Sequence, residues 1–363
     1  MSYLLNHAAL VPLAITLLAL TASWCLTALM RRYALAAQLL DHPNARSAHG
    51  VATPRGGGVA IVVSFAALAT TLGAMGVLPV PMLAGLLGSA AVVALVGFVD
   101  DRAPLPARWR FLVHAGAAVW SLWLMHGIPP VPVFGFALDL GWFGLALAAT
   151  YLVWMVNLFN FMDGIDAIAS IEAITVSVGG AWCWWLATGT PSWLLPIGFA
   201  ACVLGFLAWN YPPAKIFMGD VGSCFIGMVL GVLSLWTAQE ATQVFWCWFI
   251  LLGCFMVDAT TTLVRRVRRG DKFNVAHRSH AYQYASRRFG SHKKVTLAVG
   301  AINVLWLLPF ALLVALKVLD GAFATILAYA PLVWLAFRFK AGDRSAQEPR
   351  FTDRQGAAEP GPV

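Results

Sequence analysis

Apolar residues along this chain gather in long runs, broken by short stretches rich in charge, Pro or Gly. Runs of roughly 20 residues have the length a membrane-crossing helix needs. Eleven can be drawn, at 8–30, 57–76, 81–99, 111–126, 141–159, 167–188, 192–209, 222–238, 243–264, 295–317 and 321–338. Lipid offers no hydrogen bonds to a bare backbone, so spans of this length predict helices packed into a bundle and not a barrel. The expected fold class is all-α, a polytopic membrane bundle of about eleven helices forming one domain over 1–340. The remaining stretch, 341–363, is rich in Gly, Pro, Ala and charge and is expected to be a disordered cytoplasmic tail.

Composition sharpens this picture. Of 363 residues, 60% are hydrophobic and 11% charged, with a mean hydropathy of +0.76, against about 25% charged in soluble domains. All but one of the 24 Lys and Arg residues fall on the same side of the membrane, Lys317 being the exception. Basic connections stay cytoplasmic, so an odd number of spans puts the N-terminus outside and the C-terminus in the cytoplasm. The net charge of +8 then reads as topology and affinity for anionic lipid or phosphate, and nucleic-acid binding is excluded. The six cysteines lie inside spans with no C-x-x-C pair or metal spacing, as small buried hydrophobes would. No internal repeat is found, which counts against the inverted-repeat design of many transporters.

The polar residues that remain collect at the inner ends of spans. Asp100 and Asp101 are adjacent carboxylates in GFVDDR, and their mutual repulsion calls for a compensating cation, either Arg102, a metal or both. A solvated span end would be the bland explanation, but Arg or Trp would serve that purpose better. Asn157, Asn160, Asp163 and Asp166 recur every three residues in NLFNFMDGID, and Gly164 allows the stripe to break and wrap a pocket. Interhelical hydrogen bonding accounts for the asparagines and poorly for the aspartates. In FMGDVGS, Asp220 stands between two glycines, where a hard carboxylate suits Mg²⁺ beside substrate phosphates; an ordinary helix N-cap would use Asp equally well. His277, Arg278 and His280 stand out in the basic connection as donors suited to a diphosphate, the other Lys and Arg there reading as topology determinants. Arg46, His49 and Arg55 precede three glycines in NARSAHGVATPRGGG, a weaker candidate cradle for phosphate. Acids for a metal together with cations for phosphate point to phosphoryl transfer, which relies on positioning and charge neutralisation. A proton-coupled or lipid-linked transporter is the competing class, and Asp258 is the acid deep enough to suggest it.

Six of these segments, DHPNARSAHG, PRGGG, GFVDD, NFMDGID, FMGDVGS and HRSHAYQ, taken in order from Asp41 to Lys294, resemble the polyprenyl-phosphate N-acetylhexosamine-1-phosphate transferases. The resemblance implies a bundle of ten or eleven helices in the bacterial inner membrane. It would join the sugar phosphate of a UDP-N-acetylhexosamine to undecaprenyl phosphate at the cytoplasmic face, releasing UMP with Mg²⁺ present, or Mn²⁺ in its place. It implies catalytic roles for Asp100, Asp101, Asp163 and Asp166, with Asp220 and Asp166 at the metal. Asn160 and Phe217 would meet the nucleotide, and His277, Arg278 and His280 the diphosphate, with Arg46 and His49 of the glycine-rich segment as further substrate-binding candidates. A homodimer is compatible with it. The sequence departs from the family in HRSHAYQ, where Tyr282 and Gln283 replace a denser histidine cluster, and in DGIDA for DGLDG. It also lacks the lysine that the peptidoglycan translocase carries before its Thr-Pro-x-x-Gly-Gly. These departures favour the branch that starts O-antigen or other surface polysaccharides, with FucNAc, QuiNAc or GlcNAc as the sugar.

Overall fold

The computed structural model describes residues 2–42, 51–271 and 277–344, and these are predominantly helical. A helix occupies every apolar run. In chain order come α1 (Ser2–Ala36), α2 (Gly58–Ala74), α3 (Val80–Asp100), α4 (Ala107–Leu124), α5 (Gly141–Met162), α6 (Ile168–Thr188), α7 (Leu194–Asn210) and α8 (Asp220–Glu240). The ninth run divides into α9 (Val244–Leu251) and α10 (Gly253–Arg268), bent by 67° at Leu252. Helix α11 (Ala281–Phe289) lies in the basic connection. The tenth run holds α12 (His292–Ile302) and α13 (Leu308–Ala315), joined by a π-helical turn at Asn303–Leu307, and α14 (Gly321–Arg338) is the last.

Among the described residues, seven helical spans are long and apolar enough to cross a bilayer, and the bent pair makes an eighth. The other three of the eleven runs differ for visible reasons: α2 has 17 residues, α4 carries Arg108, Arg110 and His114, and α6 carries Glu172. Two small antiparallel ribbons complete the structure, β1 (Leu40–Asp41) with β2 (Thr53–Pro54), and β3 (Val131–Val133) with β4 (Phe136–Leu138).

Helix α8 is the hub, apolar on every side and almost wholly enclosed, as a helix surrounded by others must be. Lipid tails are as apolar as leucine, so hydrophobic burial alone cannot hold membrane helices together and close contact between small residues must contribute. Gly97 on α3 provides such a contact: a Cβ there would lie 2.5 Å from the carbonyl oxygen of Asp220, so the two backbones touch where α3 ends and α8 begins. Outward faces carry exposed Trp109, Phe111, Trp123, Trp142 and Trp334, suited to lipid.

Within the apolar interior, Glu172 of α6 is fully buried and accepts a hydrogen bond from Asn303 Nδ2 at 2.7 Å. Asn303 also donates to Thr175 Oγ1 at 2.8 Å, so the pair joins α6 to the π turn. The ordered bundle runs past the boundary expected at residue 340: the Gly342 N–H donates to Ser279 O at 2.6 Å and Arg344 pairs with Asp271 at 2.9 Å. Residues 345–363 lie outside the described residues.

Candidate active site

The N-terminus of α8 organises the site. Its first N–H groups have no partner within the helix, and the neighbouring helix α3 supplies one. Asp101, just past the end of α3, accepts from the N–H groups of Asp220 at 2.8 Å and Val221 at 3.2 Å. Gly219 precedes them with φ +76°, and any side chain there would strike the Asp101 carboxylate. Capping, the bland role open to Asp220, thus falls to Asp101. The Asp220 carboxylate is left to face two arginines.

Arg55 Nη2 lies 2.8 Å from both Asp101 Oδ1 and Asp220 Oδ1. The PRGGG segment holds it there by pairing its backbone with FMGD: Phe217 N–H donates to Pro54 O, Gly57 N–H to Phe217 O and Gly58 N–H to Met218 O, at 2.8 to 2.9 Å. Arg110 of α4 lies 2.6 Å from Asp100 Oδ2 and 3.7 Å from Asp220 Oδ2, while the Leu105 N–H closes the connection onto Asp100 Oδ1 at 2.6 Å. Burial opposes the Arg55 charge, but Asp101, Asp220 and Asp41 outweigh it and raise the pKa. Burial also pushes the Asp101 carboxyl above its ordinary value against the pull of Arg55.

Asp163 follows the end of α5 and makes no hydrogen bond or ion pair with another described residue. Burial, then the charges of Asp220 and Asp101, push its pKa well above the usual carboxylate range, with Arg55 only partly compensating. Asp100, Asp101, Asp163 and Asp220 set four carboxylates against the two guanidiniums of Arg55 and Arg110, an excess that a divalent cation would cancel. Among the described residues, no three His, Cys, Asp or Glu side chains close into a cage of their own. Mg²⁺ seldom requires one, because it keeps water and binds through one or two carboxylates together with substrate phosphates. The hard oxygens of Asp163 and Asp220 fit that mode.

The remaining candidates are distributed around this cluster. Asp166, whose charge also acts on Asp163, has partners of its own: its Oδ2 lies 3.4 Å from His292 Nδ1 and accepts from the Ala214 N–H at 3.2 Å. It ties the connection after α7 to α12. Asn160 reaches Ser223 Oγ at 3.4 Å, and Phe217 is half-buried beside the zipped backbone. The basic connection approaches through Tyr282, whose hydroxyl donates to Phe161 O at 3.0 Å and sits against Gly164, next to Asp163. His277 and Arg278 are half-exposed, whereas His280 is 3% exposed and faces Asp258. Arg46 and His49 lie outside the described residues.

In the sequence Arg110 reads as a topology charge, and His292 and Glu172 belong to none of the candidate clusters. A lone acid in an apolar run is signal enough for Glu172; the pairing of Arg110 with Asp100 needs the turn between α3 and α4.

Fold and site together define a polytopic membrane protein with an acid and arginine cluster at one end of its bundle. Residues 83–238 match the model of Glycosyl transferase family 4. The chain is 29% identical over 288 residues to the probable undecaprenyl-phosphate N-acetylglucosaminyl 1-phosphate transferase of Bacillus subtilis (strain 168), covering 77% of this chain and 79% of that protein. It is 26% identical over 226 residues to the phospho-N-acetylmuramoyl-pentapeptide-transferase of Streptococcus pyogenes serotype M3, and 27% over 228 residues to that of serotype M5. Each of those two matches covers 59% of this chain and 62% of the relative.

Proposed function

We propose that this chain belongs to Glycosyl transferase family 4 and transfers a HexNAc-1-phosphate from a UDP-sugar to undecaprenyl phosphate, releasing UMP. The observation that carries the reading is the cluster of Asp101, Asp220 and Asp163 around Arg55, with Asp100 on Arg110. In the reaction, an oxygen of the lipid phosphate attacks the phosphorus that bears the sugar. A new P–O bond forms there while the bond to the bridging oxygen breaks, and UMP departs with that oxygen. The acceptor phosphate is already a competent nucleophile, so the protein's task is alignment and neutralised charge.

Asp220 and Asp163 would hold a magnesium ion, which when bound supplies charge neutralisation at the phosphates. Asp166, bonded to Ala214 and His292, would shape the nucleotide side with Asn160 and Phe217. Arg55 and Arg110, anchored on carboxylates, present fixed positive charge to the transferring group. Asp101 or Asp100 would take any proton left on the acceptor phosphate. An apolar groove of about 370 Å³, lined by Met162, Phe255, Tyr282, Phe289, Val295 and Leu332, would take the start of the isoprenoid chain. Its border with Tyr282 and Met162 adjoins Asp163.

The positive connections support a cytoplasmic position for this end of the bundle, and the departures in HRSHAYQ support an O-antigen or other surface-polysaccharide role with FucNAc, QuiNAc or GlcNAc. Transport would need acids along the membrane midplane. The acids of the candidate site instead gather at one end, and the interior Glu172 is bound to Asn303. The test follows UMP release by purified protein in detergent with undecaprenyl phosphate and a panel of UDP-HexNAc donors, with Mg²⁺ or EDTA, beside Asp220→Asn. UMP that requires lipid phosphate and metal and disappears in the variant is the expected result. Folded protein releasing no UMP from any donor would refute the reading.

A further inference from the structure

Asp258 of α10 is 6% exposed and lies some distance along the chain from the residues it holds. Its Oδ1 accepts from the Ala281 N–H at 2.9 Å and its Oδ2 from the Tyr282 N–H at 2.9 Å. These are the first two N–H groups of α11, which start unpaired in any helix. His280 precedes them as N-cap, and its Nδ1 is 3.3 Å from the same Oδ1, which also accepts from Thr262 Oγ1 at 3.2 Å. A carboxylate oxygen only accepts, so donation across this contact requires the ring proton on Nδ1. His280 stacks on His277 with ring centroids 5.0 Å apart and planes 28° apart, and His277 Nδ1 meets Ser279 Oγ at 3.0 Å. The Arg278 carbonyl accepts from Arg287 Nη2 at 3.1 Å, one end of α11 thus steadying the other side of the turn.

We propose that Asp258 and His280 form a positioning pair that touches neither substrate and sets where His277 and Arg278 stand over the site. The pair pins the basic connection to α10, the inner half of the bent span. His280, which looks from the sequence like a phosphate ligand, is instead a buried strut. That His277 and Arg278 then meet a diphosphate rests on the transferase reading; the pinning itself does not.

Asparagine and glutamine at 280 separate the two roles, because an Asn amide reproduces a donor at Nδ1 and a Gln amide one at Nε2. The full chain in detergent would be assayed as wild type, His280→Asn, His280→Gln, Asp258→Asn and Thr262→Val. Michaelis constants for UDP-sugar and lipid phosphate would be measured, with amide hydrogen exchange over 277–290. His280→Asn should stay within about threefold of wild type, while His280→Gln and Asp258→Asn should raise the donor KM on the order of tenfold, the effect of losing one buried hydrogen bond to a charged group. The acceptor KM should hold, and exchange at the start of α11 should accelerate in the same two variants. Thr262→Val, which removes a single hydrogen bond to Asp258, should shift both readouts the same way by less, and serves if Asp258→Asn does not fold.

Tolerance of Gln with loss in Asn would place His280 on the phosphate through Nε2 and overturn the proposal. So would unchanged exchange in both Asp258→Asn and Thr262→Val. If the wild type releases no UMP, the transferase reading falls and the exchange measurement still decides the pinning.

Discussion

Asp163 has the least support of the site carboxylates, and its discomfort is informative. Perturbed acids collect where function requires them. Asp163→Asn removes a charge repelled by Asp220 and Asp101, so it should raise the melting temperature of the metal-free protein, measured by intrinsic fluorescence. The same change should lower turnover by roughly 10²-fold, the usual effect of losing one element of electrostatic stabilisation. The pH dependence follows from the raised carboxyls of Asp163 and Asp101. A carboxyl whose pKa is higher folded than unfolded binds its proton more tightly in the folded state. Its stabilising contribution is full below the unfolded value, about 3.9, and is lost as pH rises through the folded one. Melting scans with and without Mg²⁺ should therefore show more protection by the cation at pH 8 than at pH 5; equal protection would remove these acids from cation binding.

At the scale of elements, the site is a consequence of where helices end. Asp101 can cap α8 only because α3 and α8 approach backbone to backbone at Gly97. Gly97→Ala would force them apart and should cost about 1–3 kcal/mol, as overpacking does, with activity lost along with the alignment of Asp101 and Asp220. Unfolding in a denaturing detergent series would read the first effect and UMP release the second. The Glu172 and Asn303 pair fastens α6 to the π turn. Asn303→Leu strands a buried acid and should destabilise by about 1–3 kcal/mol, whereas Glu172→Leu with Asn303→Leu should recover much of that loss. Additive effects in the double variant would mean that the two side chains do not act together.

For the whole molecule, the crowding of Lys and Arg at one end predicts orientation. A fluorescent protein fused at the C-terminus should fold and fluoresce in the cytoplasm, and alkaline phosphatase inserted near Gly135 should be active on the far side. The reverse pattern would move the site to the other face. The bend of 67° between α9 and α10 also acts at this scale, because α10 carries Asp258 toward α11 and lines the apolar groove.

Apolar runs long enough for a bilayer were legible in the sequence, and each became helical because lipid leaves the backbone no other partner. The identities of Asp100, Asp101, Asp163 and Asp220 were legible too, since charge in so apolar a chain needs a reason. What the linear order could not supply was partnership. Asp101 caps a helix that begins more than a hundred residues later, Arg110 answers Asp100 across a turn, and His280 turns inward to Asp258. Asp166 likewise finds its partners in His292 and Ala214, far along the chain. Hydrophobicity is a property of each segment and shows locally. Hydrogen bonds and ion pairs between segments depend on which helix ends meet, and that is decided only when the bundle packs.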